Sequence, residues 1–192
     1  MHRRSFIAAS AATLLTPTFT LAKPSWKTIF TGKSLAGWTP LGDANWTLKD
    51  GVATADKGAV SYLVSKDDYA DFELIAEVWV SPDANSGIFI RCEDPKVIGV
   101  ATGYECNIFD TRPDPTYGTG AIVNVAKVSP MPKAGGRWNT MQITAKADTF
   151  SIVFNGVKTV DNARDAAHPK GRIALQYGAG VVKFRKVQVR TP

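Results

Sequence analysis

The run NSGIFIRCEDPKVIGVATGYECNIFD, residues 85–110, holds both cysteines of the chain, Cys92 directly after an arginine and Cys106 directly after a glutamate. Each cysteine sits in a short apolar run of strand length, and a Pro- and Gly-bearing stretch separates the two runs. Successive side chains on a strand point to opposite faces, so odd and even positions can be sorted. Ile88, Ile90 and Cys92 fall on one face of the first run, with Phe89 and Arg91 on the other. In the second run Tyr104, Cys106 and Ile108 oppose Glu105, Asn107 and Phe109. If the runs pair antiparallel with Cys92 facing Cys106, one face is isoleucine, tyrosine and sulfur, and the other is arginine, glutamate, asparagine and phenylalanine. Opposed cysteines on adjacent strands reach the Cβ separation of ~4 Å that a disulfide needs. Closing that loop is worth about 3 kcal/mol in the chain-entropy model. Two free buried thiols are the alternative.

The same sorting applies upstream. Phe72, Leu74, Ala76, Val78 and Val80 go to one side, and Glu73, Ile75, Glu77 and Trp79 to the other. Three strands would then present Glu77, Arg91, Glu105 and Asn107, with aromatic rings, on one concave sheet. Rings beside carboxylates and amides suit a sugar, which offers apolar C–H faces and hydroxyl edges. A solvated outer sheet surface is the plainer account of the same pattern.

Outward from this stretch the chain reads as short strands divided by turn residues. Asp50-Gly51 and Asn155-Gly156 sit between apolar runs as two-residue hairpin turns, because both supply positive backbone angles. About ten strands with this punctuation, Ala121–Val125 among them, and no apolar period of helical length, predict an all-β fold. The expected form is a two-sheet antiparallel sandwich or jelly roll. The 192 residues, 44% hydrophobic and 21% charged, fit one well-buried core. Residues 23–192 show no linker or repeat and read as one domain.

Met1–Ala22 has a basic start, an apolar centre without acidic residues and a small residue at its end, the pattern of an export signal. Arg3-Arg4-Ser5-Phe6-Ile7 resembles a twin-arginine signal. Pro17 cuts the apolar stretch short of the ~20 residues a membrane span needs. Export would place the domain in the periplasm or outside the cell. Loss of Arg3 and Arg4 lowers the formal charge from +6 to +4. Apart from a weak group at Lys183, Arg185, Lys186 and Arg190, the basic residues are scattered, which argues against a nucleic-acid partner.

No nucleophile elbow, metal-binding histidine pair, phosphate-cradling glycine loop or Cys-x-x-Cys occurs. His168, the single histidine after the signal, lies in a loop. Asp83–Gly87 has the oxygen spacing of part of a calcium loop but lacks the bidentate glutamate, so a tight turn is expected. The Pro- and Gly-rich loop Thr111–Gly120 could fold over the charged face and contribute Asp110, Arg112 or Tyr117.

Ordered pieces along nearly the whole chain resemble the 3-keto-disaccharide hydrolase family. They are Phe30-x-Gly-Lys-x-Leu-x-Gly-Trp38, Tyr69-Ala-Asp-Phe-Glu-Leu74 with Glu77, Asn85-Ser-Gly-Ile-Phe-Ile-Arg91, Gly103-Tyr-Glu105 and Asp110. Thr119-Gly-Ala-Ile122, Trp138-Asn139, Asn155-Gly156, Gly171-x-Ile-x-Leu-Gln176 and Phe184-Arg185 complete the set. The resemblance implies a concanavalin-like jelly roll that cleaves glycosides already oxidised to a ketone at C3. A C3 ketone acidifies the C2 proton, so one carboxylate can remove it while an acid assists departure of the glycosidic oxygen. On this reading Glu77 and Glu105 are base and acid in either order, and Arg91 steadies the enolate. Phe89, Asn107, Phe109, Asp110, Tyr117 and Gln176 would contact the sugar. No cofactor is assigned and a divalent metal is left open, as is the oligomeric state. Many family members carry a histidine just after the Leu-Gln pair, where this chain has Tyr177. A non-catalytic carbohydrate-binding module of the same fold therefore stands as the alternative.

Overall fold

A computed structural model describes residues 24–192, all strand and loop apart from one 3-10 turn, Pro115–Tyr117. The export signal expected at residues 1–22 lies outside the described residues. Thirteen strands, numbered in chain order, form two antiparallel sheets. The five-stranded sheet runs β2 (Trp38–Leu41), β5 (Ser61–Ser65), β12 (Arg172–Ala179), β7 (Asn85–Cys92), β8 (Tyr104–Ile108). The eight-stranded sheet runs β11 (Val157–Arg164), β10 (Thr149–Phe154), β9 (Trp138–Lys146), β6 (Phe72–Val80), β13 (Val182–Arg190), β4 (Val52–Ala55), β3 (Thr47–Lys49), with β1 (Lys27–Phe30) also paired to β13. This is the expected two-sheet sandwich.

Both hairpin turns form as read. Asp50 and Gly51 have φ of 52° and 76°, and Asn155 and Gly156 have 49° and 82°, the two successive positive angles of a turn that matches strand twist. The alternation in β6 also holds: Phe72, Leu74, Ala76, Val78 and Val80 are buried, packing towards Ile88, Ile90, Cys106, Ile108 and Leu175 of the other sheet. Ala121–Val125 differs from expectation. Asn124, at φ 63°, turns the chain there, and only Ile122 bridges to Cys106 and to Ala126.

Two further expectations fail for one reason each. β6 belongs to the eight-stranded sheet, whereas β7 and β8 belong to the other, because the turn Ser81–Ala84 carries the chain across the sandwich. Ser81 Oγ donates to Asp83 Oδ1 at 2.6 Å and Ala84 N donates to the Ser81 carbonyl at 3.0 Å, so of the calcium-like stretch Asp83–Gly87 only Asp83 and Ala84 lie in the turn, and Asn85–Gly87 already belong to β7. Glu77 therefore faces outward on the opposite sheet, where it pairs with Arg185. Alternation sorts the faces of one strand but does not say which sheet the strand joins.

The second failure is at Arg91. Phe89 opposes Ala174 and Cys92 opposes Arg172, so Ile90 and Arg91 together face the single residue Ile173. This is a β-bulge, with Arg91 at φ 52°, and it resets the alternation by one residue. Arg91 turns inward and is 1% exposed, with its guanidinium 5.1 Å from the Phe150 ring centre. Cys92 turns outward, onto Val64, Phe89 and Ala174, while Cys106 stays in the core opposite Ile88. The two sulfurs lie on opposite faces of the sheet. Both thiols are free, and the expected disulfide is not formed.

Inward, Arg91 ties together loops from both sheets. Nε donates to the Ala70 carbonyl at 2.8 Å and Nη1 to the Ala147 carbonyl at 2.7 Å. Nη2 lies 3.3 Å from Asp71 Oδ1, which also accepts from Ala147 N at 2.9 Å. Burial pushes the guanidinium pKa down, opposed by Asp71. Replacing Arg91 with alanine leaves these acceptors without donors, at a cost of about 3 kcal/mol. A fall in melting temperature of roughly 6–12 °C is expected. Arg91→Lys should recover little of it, because one ammonium cannot reach separate loops as a forked guanidinium does. An Arg91→Ala protein melting with the parent would contradict this account.

Candidate functional site

The outer face of the five-stranded sheet carries the residues that alternation picked out, arranged in two rows across the strands. Register places Leu41, Tyr62, Gln176, Gly87 and Asn107 in one row, and Thr39, Val64, Ala174, Phe89 and Glu105 in the next. The second row is mostly apolar, with Tyr62 edge-on to Phe89 at 5.6 Å between ring centres. Glu105 therefore lies beside Phe89 with an apolar surround, and it is 8% exposed.

Gly87 leaves a notch in the first row. A Cβ placed there would lie 3.2 Å from Gln176 Oε1 and 3.4 Å from Glu105 Cγ. Gln176 Oε1 and Asn107 Oδ1 flank this gap in the row, and both are buried oxygens without a hydrogen-bond partner. Buried acceptors of this kind are uncommon and costly. Two of them beside a buried carboxyl are acceptors that a water or a ligand hydroxyl would satisfy.

Burial pushes the Glu105 carboxyl up to about 7, with Arg112 drawing it back. Tyr62 is raised as well, first by burial, with the Gln176 amide opposing and the Glu105 charge adding to the rise. At neutral pH the carboxyl divides between its two forms while the phenol holds its proton. This pairing can both take and give a proton.

The loop after β8 is fixed over the edge of this face. Asn107 Nδ2 donates to the Tyr117 carbonyl at 2.7 Å. The Asp110 carboxylate accepts from Thr119 Oγ1 at 2.6 Å and from Ala134 N and Gly135 N at 2.9 Å. Asp114 Oδ1 accepts from Thr116 N at 3.0 Å and caps the short helical turn.

Of the residues expected from sequence, Glu105, Asn107, Phe89 and Gln176 come together. Asp110 is occupied in holding the loop. Tyr117 contributes its carbonyl to Asn107 and its ring to Lys127, 5.7 Å away, and Phe109 is half-buried just past the end of β8. Glu77 and Arg91 are elsewhere. Tyr62 and Gly87 were not singled out: a tyrosine in an apolar run and a glycine in a strand carry no signal until register sets them beside Glu105. His168 packs at the sandwich end near Arg91, its ring 5.0 Å from that of Tyr104. Among the described residues no group of three or more His, Cys, Asp or Glu is placed to hold a metal ion, and no helix is long and apolar enough to cross a membrane. Clefts of about 530 and 320 Å³ lie near Tyr69 and near Phe72, and neither reaches Glu105.

The raised Glu105 value has a sign for stability. Between an unfolded value of 4.5 and a folded value of about 7, the folded chain holds a proton that the unfolded chain has released. Stability should therefore fall as pH rises through this window, by up to about 3 kcal/mol. Glu105→Gln removes the titration, so the variant should gain on the parent by that order between pH 4 and pH 8 in denaturant melts. An equal difference at both pH values would exclude a buried, titrating Glu105.

A model of the 3-keto-alpha-glucoside-1,2-lyase-like domain matches residues 25–190. No curated protein matches the chain. Among solved structures, a candidate glycosyl hydrolase of Parabacteroides distasonis has a TM-score of 0.70 at 24% identity, covering 88% of this chain and 100% of its own. A second from the same organism has 0.71 at 20% identity, covering 87% and 94%. The carbohydrate-binding module CBM66 of Bacillus subtilis has 0.64 at 16% identity, covering 81% and 96%. These likenesses establish a shared sandwich fold. The match over residues 25–190 establishes more: the chain belongs to the 3-keto-alpha-glucoside-1,2-lyase-like family.

Proposed function

We propose that this protein cleaves 3-keto-glycosides at the notch around Gly87, with Glu105 as the proton-abstracting base. The observation that carries the reading is the buried Glu105 carboxyl, poised near neutrality beside the unpartnered oxygens of Asn107 and Gln176. In the reaction, Glu105 takes the C2 proton made acidic by the C3 ketone. The electron pair forms the C1–C2 double bond as the C1–O bond breaks, and the leaving oxygen takes up a proton. Addition of water across that double bond then gives the free keto sugar. Tyr62, protonated at neutral pH, is the nearest candidate for the acid. Arg112, whose charge acts on Glu105, takes the enolate-steadying role that placement denies to Arg91. Asn107 and Gln176 accept from sugar hydroxyls, and Phe89, buried against Tyr62, backs the site.

A non-catalytic carbohydrate-binding module is favoured by one observation. With Glu77 on the opposite sheet, Glu105 is the only carboxylate on the two rows. Purified protein incubated with several 3-keto-glucosides, with and without chelator, decides between them. Release of free keto sugar is expected, reduced roughly a hundredfold or more in Glu105→Gln with binding retained. Gly87→Ala should weaken binding and lower the melting temperature slightly, because its Cβ meets Gln176 Oε1 at 3.2 Å and the Cys106 carbonyl oxygen at 3.3 Å. Binding of unoxidised sugar with no release from any linkage would establish the module instead. We further propose that Met1–Ala22 directs export to the periplasm or medium; N-terminal sequencing of the exported form should begin at Lys23.

A further inference from the structure

The outer face of the eight-stranded sheet has no part in this chemistry, yet it is not an ordinary wet surface. Trp138 and Trp79 are direct cross-strand neighbours, and Lys183 continues the row on β13. Lys183 Nζ lies 4.5 Å from the Trp79 ring centre and Arg185 Cζ 4.2 Å from that of Trp138. Register shifts between Phe184 and Lys186, and both Arg185 and Lys186 are exposed where alternation would bury one of them. Two successive cations thus join the face. Further along, Arg190 Cζ lies 4.8 Å from the Trp26 ring centre. The weak basic group of the sequence becomes a stripe beside three tryptophans.

The charges on this stripe are not balanced. Arg185 pairs with Glu77, and Arg190 with Glu73 at 2.6 Å. Lys183 and Lys186 have no ion-pair partner among the described residues. A cleft of about 330 Å³ lined by Lys33, Glu77, Arg185 and Lys186 opens beside them.

We propose that this face is a second carbohydrate-binding surface, one that takes an acidic polysaccharide of the uronate type. Lys183 and Lys186 meet the sugar carboxylates, while Trp79 and Trp138 hold Lys183 and Arg185 in place beneath the chain. Strand spacing of about 5 Å sets these two ring-borne cations roughly one pyranose apart. Charge complementarity selects the occupant. A neutral sugar would have to displace the cations from the indole faces with nothing in return, whereas a uronate engages them. A nucleic base needs an open ring face to stack on, and here a cation sits over each indole. A lipid surface needs an apolar face to bury, and here Glu73, Gln142, Thr144 and Gln188 interrupt it. The surface works independently of the notch, on the opposite side of the sandwich.

Affinity electrophoresis of the whole chain through polygalacturonate tests this, with dextran, single-stranded DNA and anionic phosphatidylglycerol vesicles as the other arms. Retardation by polygalacturonate is expected, weakening as salt rises. It should fall roughly tenfold in Lys183→Ala/Lys186→Ala and again in Trp138→Ala, each checked by thermal melting. Lys158→Ala/Arg164→Ala, on the remote strand β11, removes the same two charges, should bind as the parent does and controls for net charge. Glu105→Gln should also bind undiminished, which separates this surface from the notch. Absence of polyuronate binding would overturn the proposal. So would stronger binding to DNA, dextran or vesicles, or equal losses in Lys158→Ala/Arg164→Ala and Lys183→Ala/Lys186→Ala.

Discussion

One backbone angle governs the arrangement of this protein: the positive φ of Arg91, held in a bulge opposite Ile173. A non-glycine residue in this region is strained and persists only where its surroundings fix it. The surroundings here are the carbonyls of Ala70 and Ala147, the Asp71 carboxylate and the Phe150 ring. Turning the guanidinium inward closes the end of the sandwich. It also removes a strong cation from the outer face, where Glu105 lies. Without that neighbour, burial outweighs attraction and the carboxyl is weakly acidic. A buried arginine thus sets the electrostatic surroundings of a carboxyl on the opposite face of its own strand pair.

The rest of the outer face follows from register. Gly87 stands between Gln176 and Asn107, so two buried amide oxygens flank a position that carries no side chain. Phe89, Val64 and Ala174 keep the adjoining row dry. The same fold supports a different logic on its other side, where long cations lie across indole rings and solvent reaches the polar residues between them. One sandwich thereby offers a desolvated face suited to proton transfer and a hydrated one suited to charge.

Much of this was legible in the residues. Paired turn dipeptides marked two hairpins, and alternation in Phe72–Val80 named its core face residue by residue. Glu105 and Asn107 were placed on a common face by the same argument, which needs only a regular strand. Alternation breaks at Arg91 because a bulge inserts one residue without any local signature. Arg91 is neither glycine nor asparagine, and its positive φ arises from partners distant in sequence. The failed disulfide has the same origin, since the reset moves Cys92 to the far face. Glu77 was misplaced for another reason: strand periodicity carries no information about which sheet a strand enters, and four residues of turn took the chain across. Tyr62 and Gly87 become notable only once β5, β12, β7 and β8 are in register.

Asn107 has a double attachment. Its Nδ2 holds the Tyr117 carbonyl, and its Oδ1 borders the notch without a partner. A molecule that donates to Oδ1 also fixes the amide plane, and with it the bond to the loop. Occupancy of the notch and order in the loop are therefore linked, and linkage runs both ways. Whatever loosens the segment around Tyr117 weakens the grip on the ligand by the same free energy with which the ligand steadies the segment.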